Sequence, residues 1–282
     1  MHLEKINRAA RLDAKEEFCL YFDAALEQPT PYSAKSSYLK DAQARMDRTV
    51  ELIRPYIAGS RILDIGASPF YLLYKAKLLG ARQCTGVYFA NDSHPLKDFS
   101  AVHSAYGPIE LSHVDIERCP LPFEDNSFDV VTACEVLEHL EYFPARLGAE
   151  IRRVLRPGGT LCITVPNACR VANIAKLILQ KNIYMPYRAD PTGRHKHEFT
   201  IRELEAFVEF LGIAVAQSGF LSIPTSNRKV LRMFYRVVGA LPLIRNYSPV
   251  IYVVGKQEIP KSRAPLNDFP KILYSDALSI ED

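Results

Sequence analysis

The groups in this chain best suited to move protons fall in two short segments. One is Glu135-Val136-Leu137-Glu138-His139-Leu140, with His139 one helical turn beyond Glu135; the other is His195-Lys196-His197-Glu198-Phe199-Thr200. Histidine titrates near neutrality without tuning, so His139, His195 and His197 are candidate general bases, each with the alternative of a structural hydrogen bonder. A further set of polar residues stands where apolar runs end. Arg61-Ile62-Leu63-Asp64-Ile65-Gly66 is a short aliphatic run closing on an acid and a glycine, and Ala67-Ser68-Pro69-Phe70 leads from it into an apolar helical pattern. Strand, tight turn and helix in that order build a nucleotide-sized crevice at the carboxyl ends of an open α/β sheet. Asp64 to Phe70 is therefore the first place to look for a ligand.

The elements that must carry these residues alternate regularly. Strands are expected at 61–65, 83–89, 110–115, 128–134 and 160–165, with helices at 70–79, ended by Gly80, and at 145–155. Arg156-Pro157-Gly158-Gly159 reads as the break before the fifth strand. Strands alternating with helices mean βαβ units and a mainly parallel sheet. Beyond Asn167 the pattern changes to an apolar helix with basic residues at 168–180, a Tyr-, Pro-, Arg- and His-rich loop at 182–197, and a helix capped by Thr200 with Glu203 in capping-box register. A sixth strand near 213–220, an apolar and basic helix at 228–243 and a last strand at 250–254 follow. Two helices before the first strand, broken by Pro29 and Pro31, would cap the crevice or simply cover the sheet edge.

With 282 residues, 48% apolar and 24% charged, the composition is that of a globular chain with a full core. The net charge of +3 does not by itself call for nucleic acid. Six cysteines form no C-x-x-C pair, and several lie in strand-like runs, so they read as small buried hydrophobes in a reducing compartment, with no metal site expected. Met-His-Leu-Glu-Lys at the start lacks an apolar core, so no secretory signal is expected, and no stretch is long and apolar enough for a spanning helix. A cytoplasmic location is the expectation.

Four segments in register carry a resemblance: Ile62-Leu63-Asp64-Ile65-Gly66, Leu121-Pro122-Phe123-Glu124-Asp125-Asn126-Ser127-Phe128-Asp129-Val130-Val131, the Glu135–Leu140 segment, and Leu155-Arg156-Pro157-Gly158-Gly159-Thr160-Leu161. Together they resemble the class I S-adenosylmethionine-dependent methyltransferases over about 61–166, and more weakly to Gly255. The resemblance implies an α/β, doubly wound, Rossmann-like sheet of seven mostly parallel strands, the last antiparallel, with a helical N-terminal cap. It divides the chain into a cap at 1–58, a methyltransferase domain at 59–258 with substrate-side insertions at about 167–200 and 222–248, and a tail at 259–282. The implied cofactor is S-adenosyl-L-methionine, held by Asp64, Gly66, Ala67, Ser68, Tyr88, Asp92, Asp115, Ile116, Cys134 and Glu135. Asp115 would accept from the adenine amino group, or else cap a short helix.

Two positions depart from the family pattern. Where members show G-x-G-x-G, this chain has Gly66, Ser68 and Phe70; the phenyl ring would wall the site or point into the core. Where members end the second strand with an acid that accepts from both ribose hydroxyls, this chain has Tyr88, and a phenol cannot grip a diol as a carboxylate does. Asn91 or Asp92 would then reach in from the loop.

On the substrate side, 210–257 holds no acid but carries Arg228, Lys229, Arg232, Arg236, Arg245 and Lys256, and 166–188 is likewise acid-free with Arg170, Lys176, Lys181 and Arg188. One reading is an anionic or lipid-linked acceptor met at a membrane surface, with peripheral membrane contact; the other is core-packing helices with solvated basic edges. The loop at 184–198 is similar to segments of methyltransferases that modify sugars of surface polysaccharides. The expected function is O-methylation of a sugar or glycolipid-type hydroxyl, with a small-molecule or glycan acceptor and no nucleic acid. The rivals are a non-catalytic binding or scaffold protein on the same fold, and a methyltransferase acting on another small molecule, a lipid or RNA.

Overall fold

The computed structural model describes residues 37–67, 70–88, 99–103, 107–184, 186, 194–223, 233, 244–258, 270 and 272–273. Of the expected elements, the first N-terminal helix, the helix at 228–243 except Met233, and the tail except Pro270, Ile272 and Leu273 lie outside the described residues, as do Ser68, Asn91 and Asp92. The chain forms two compact units, residues 1–114 and 115–282.

In the first unit, helix α1 (Ser37–Ile53) runs into a 3-10 turn at Arg54–Tyr56, where Pro55 ends α-helical bonding. Strand β1 (Arg61–Ile65), helix α2 (Tyr71–Leu78), and strands β2 (Gln83–Tyr88), β3 (Phe99–His103) and β4 (Gly107–His113) follow. The strand order is β3-β4-β2-β1. β1 and β4 run parallel to β2, with Asp64 opposite Gly86 and Tyr88 opposite His113. β1 is buried along four of its five residues, which explains why it reads as an aliphatic run rather than an alternation. The expected helix stop is present: Gly80 takes φ 86°, and the amides of Gly80 and Ala81 close on the carbonyls of Lys77 and Ala76. Strand β3, antiparallel to β4, is an addition to the expected seven strands. Its sequence, Phe-Ser-Ala-Val-His, is too short to be told from loop without its hairpin partner.

The second unit holds β5 (Phe128–Cys134), a 3-10 turn at Leu137–His139, α3 (Ala145–Val154), β6 (Leu155–Pro166), α4 (Val171–Ile178), α5 (Ile201–Phe210), β7 (Ile213–Leu221) and β8 (Val250–Gln257). The order is β5-β6-β8-β7. β5 and β6 are parallel, and β8, the last strand, is antiparallel to both of its neighbours, as expected. The fold is the Rossmann-like, mostly parallel α/β architecture that the sequence implied.

Two expectations need correction. Arg156 to Gly159 is not a break but the opening of β6, with Gly158 at φ 72° allowing the irregular start against Phe128. His139 ends a 3-10 turn rather than standing one α-helical turn past Glu135. The 121–128 segment is a clamped loop. Arg153 donates to the carbonyls of Leu121 and Phe123 (2.9 and 2.6 Å) and to Asp125 (3.0 Å), while Glu150 accepts from the Leu121 amide at 2.7 Å. Burial pushes the Glu150 carboxyl up, but the Arg153 hydrogen bond and the Leu121 amide outweigh it and hold it below the usual range.

Candidate functional site

The turn after β1 is built backbone-first. Gly66 takes φ 75°, a conformation that favours glycine, and the amides of Gly66 and Ala67 both donate to the Val87 carbonyl on β2 (2.8 and 2.9 Å). Asp64 is 4% exposed and Ala67 is buried. Phe70 enters α2 at φ 68°, a left-handed conformation that costs an L-residue about 1–2 kcal/mol. Burial of its ring offsets this: Phe70 is fully buried, with its ring edge-on to Tyr88 at 5.8 Å between centroids. Tyr88 itself is 2% exposed, and its ring lies 5.9 Å from that of His113. The two departures from the family pattern are thus one structural feature. Phe70 points into the core, and its packing partner is the Tyr88 that occupies the acid's place.

In the second unit, Asp115 caps a turn. Its Oδ1 accepts from the Glu117 amide at 3.1 Å, and its Oδ2 lies 3.4 Å from Arg118. Ile116 and Cys134 are half-buried. Glu135 is strained at φ 57°, and its backbone amide is held by the Thr164 carbonyl at 2.7 Å. Thr164 Oγ1 donates to Glu135 Oε1 at 3.3 Å. A non-glycine residue held left-handed at a strand end is the kind of strain that collects at binding sites.

The three histidines divide into two sets. His139 and His195 come together, with ring centroids 5.0 Å apart, edge to face. His197 turns away, its Nε2 3.4 Å from Glu203 and its ring packed edge-on to Phe199 at 4.5 Å. The segment carrying His195 is fastened by its backbone. The amides of Lys196 and His197 donate to the Glu138 carbonyl (2.6 and 3.4 Å), and Ala168 donates to Phe199. Lys196 also pairs with Glu141. Beside this, buried Asn167 ties the end of β6 to the residues before β8 through the carbonyls of Asn246 and Ser248 (2.9 and 2.8 Å).

Glu198 and Arg170 were not among the sequence candidates, yet they set His195. The Glu198 side chain is 3% exposed; Arg170 grips both of its oxygens, at 2.9 and 3.2 Å, and His195 Nδ1 lies 3.1 Å from Oε1. Burial pushes the Glu198 carboxyl up, but the His195 hydrogen bond and the Arg170 pair outweigh it and hold it below the usual carboxylate range. An ionised carboxylate only accepts, so His195 Nδ1 carries the hydrogen and Nε2 is the basic nitrogen. His139 Nδ1 lies 3.3 Å from the Arg194 carbonyl, so it too must donate there. Its Nε2 lies 3.7 Å from Oε1 of Glu138, which is 1% exposed. Glu138, His139 and His195 each offer a ligand atom, all within 4.8 Å of one another, and could together hold a divalent metal. The sequence expectation of no metal site considered only cysteine spacing and did not see this group.

Comparison with known proteins supports the reading. Residues 63–163 match the family described as Methyltransferase domain. The chain is 30% identical over 168 residues to the ubiquinone biosynthesis O-methyltransferase of Nitrosococcus oceani, covering 58% of this chain and 68% of that one. It is also 30% identical over 175 residues to the mitochondrial enzyme of that name from Schizosaccharomyces pombe, covering 58% and 60%. Among solved structures, an S-adenosylmethionine-dependent methyltransferase from Mesorhizobium loti superposes with TM-score 0.50 at 17% identity, covering 77% of this chain and 97% of that one. The [4+2]-cyclase SpnF superposes equally well, with TM-score 0.51 at 19% identity over 79% and 84%. Fold alone therefore does not carry the reaction; the sequence match does. The chain belongs to the class I S-adenosylmethionine-dependent methyltransferases. It is an enzyme, its cofactor is S-adenosyl-L-methionine, and the reading as a non-catalytic scaffold falls away.

Each unit, taken by itself, carries a feature that suits such a cofactor. The Gly66 turn lets backbone approach a ligand without a side chain in the way, and the strained Glu135 is a polar group fixed at a strand end. No helix among the described residues is long and apolar enough to cross a membrane.

Proposed function

We propose that the protein is an O-methyltransferase in which His195 is the general base for a hydroxyl acceptor. The observation that carries this is the Arg170–Glu198–His195 relay, in which a doubly gripped carboxylate fixes one imidazole nitrogen and leaves the other basic. When bound, S-adenosylmethionine supplies a methyl group on a sulfonium centre. This chain's residues supply the rest. Asp64, Gly66, Ala67, Ser68, Tyr88, Asp92, Asp115, Ile116, Cys134 and Glu135 form the cofactor set. His195 Nε2 takes the hydroxyl proton as the acceptor oxygen attacks, Glu198 steadies the imidazolium that forms, and Arg170 keeps Glu198 ionised. Alignment of acceptor and methyl supplies the larger part of the rate. The relatives' names support an oxygen nucleophile. The acceptor class we assign is a sugar or glycolipid-type hydroxyl on a small-molecule or glycan acceptor, anionic or lipid-linked, met at the inner face of a membrane by a cytoplasmic enzyme. The catalytic domain is taken as 59–258, with the cap before it and the tail after.

A second reading rests on the Glu138–His139–His195 group, in which the histidines bind a metal that activates the acceptor oxygen instead. Transfer of labelled methyl to a panel of hydroxyl acceptors separates the two. With His195 as base, His195→Gln lowers kcat about a hundredfold or more while S-adenosylhomocysteine affinity is kept, and EDTA changes nothing. Loss of activity in EDTA, restored by a divalent ion, assigns His195 as a ligand and overturns the base role.

A further inference from the structure

Among the described helices of the second unit, α4 leaves its apolar residues outside. Only Asn173 of Val171–Ile178 is buried, while Leu177, Ile178 and Leu179 are 60%, 77% and 64% exposed. The helix closes in a double-bonded C-terminal turn. The Lys181 amide donates to the Lys176 carbonyl at 2.8 Å and the Gln180 amide to Leu177 at 2.9 Å, with Gln180 left-handed at φ 55°. That turn holds three consecutive aliphatic side chains at a chain corner. Tyr184, 37% exposed, follows with its amide bonded to Asn182. The local charge has one sign: Lys176 and Lys181 flank the corner, and 166–188 contains no acid. Arg170, counted from sequence with this basic set, is paired with Glu198, whereas Lys176 meets only the neutral Ile183 carbonyl at 3.3 Å and keeps its charge.

We propose that the tip Leu177-Ile178-Leu179, with Tyr184 and its flanking Lys176 and Lys181, seats the enzyme on an anionic phospholipid surface. Aliphatics inserted below a ring of lysines, with a tyrosine beside them, are the arrangement an interfacial segment uses, and the absence of acid matches the negative headgroups. The tip also stands close to the relay. Arg170 immediately precedes α4, and the eight residues from Val171 to Ile178 span about 10 Å of helix. A docked α4 would therefore bring His195 near the headgroups, where a lipid-linked hydroxyl would be presented. This deepens the acceptor assignment and rests on it only for that last step; the docking needs no turnover.

The test is co-sedimentation of the full chain with vesicles of phosphatidylcholine, with and without phosphatidylglycerol. Binding is expected only with phosphatidylglycerol and should weaken with added salt. Ile178→Asp should lower the partition coefficient at least about tenfold, and Lys181→Glu about fivefold or more. Both variants should keep S-adenosylhomocysteine binding in calorimetry and turnover on a water-soluble acceptor. Failure to bind anionic vesicles, or Ile178→Asp binding as the parent does, overturns the docking while leaving methyl transfer intact. A concentration-dependent dimer that Ile178→Asp dissolves, without vesicle binding, overturns it in favour of contact between copies. Vesicle binding with no turnover on any hydroxyl would overturn the acceptor assignment alone.

Discussion

Replacing Glu198 by glutamine tests the relay most directly, because the change keeps shape and removes charge. Removing one partner of a buried ion pair costs about 3–5 kcal/mol. Here the Arg170 side chain retains 18% exposure and the amide oxygen of glutamine still accepts one of its bonds, so we expect about 1–3 kcal/mol off stability. The effect on rate has a different origin. A glutamine turned to satisfy Arg170 with its oxygen offers its NH2 to His195, which then must accept at Nδ1 and carry its hydrogen on Nε2, where the base is needed. General-base action is worth about 10²–10⁴-fold. Since Nδ1–H can still be presented in part of the population, we take the lower end: kcat falls about a hundredfold, or about 2.7 kcal/mol of transition-state stabilisation. The assay is labelled-methyl transfer across a pH series, with S-adenosylhomocysteine calorimetry and a thermal melt on the same preparations. Glu198→Gln and His195→Gln should each lower kcat, and the double variant should lose little more than either alone, because the two act as one unit. Glu198→Asp should recover part of the rate. A kcat within twofold of the parent in folded Glu198→Gln would refute the relay, and so would two losses that simply add.

Three further outcomes follow from the geometry. A Cβ at Gly86 would stand 2.7–2.8 Å from Leu111, Ala67 and Leu73, so Gly86→Ala should cost about 1–3 kcal/mol in urea unfolding, and a neutral result would mean that the turn at Ala67 gives way. Relieving the left-handed strain at Glu135 with glycine should leave stability within about 1 kcal/mol of the parent while S-adenosylhomocysteine affinity drops at least about fivefold; unchanged affinity would remove Glu135 from the cofactor set. Glu150, Glu198 and Glu203 are all held below the usual carboxylate range, so what they add to stability is fully present above the unfolded value of about 4.3 and is lost as pH falls through their lower folded values. Urea midpoints should therefore be flat from neutrality down to about pH 5 and fall steeply below about pH 4, and Glu203→Gln should flatten that fall. The same acid limb in parent and variant would show that these carboxylates are not what acid breaks.

What the sequence determined was local in its physics. The aliphatic run 62–65, its glycine turn, the Gly80 stop and the Thr200–Glu203 cap each depend on residues within a few positions of one another, and each stands where expected. The parallel order followed, because strands alternating with helices leave few other ways to bury both faces. What the tertiary structure decided was the partner of every side chain that matters at the site. Phe70 and Tyr88 read as two separate losses from a motif until packing made them one buried pair. Arg170 read as surface charge and Glu198 as one more polar residue in a loop, although they are 28 residues apart in sequence and bonded in space. Of three equivalent-looking histidines, the fold joined His139 to His195 and sent His197 to Glu203. A side chain's rotamer and protonation state depend on what its burial leaves within a few ångströms, and no spacing along the chain records that.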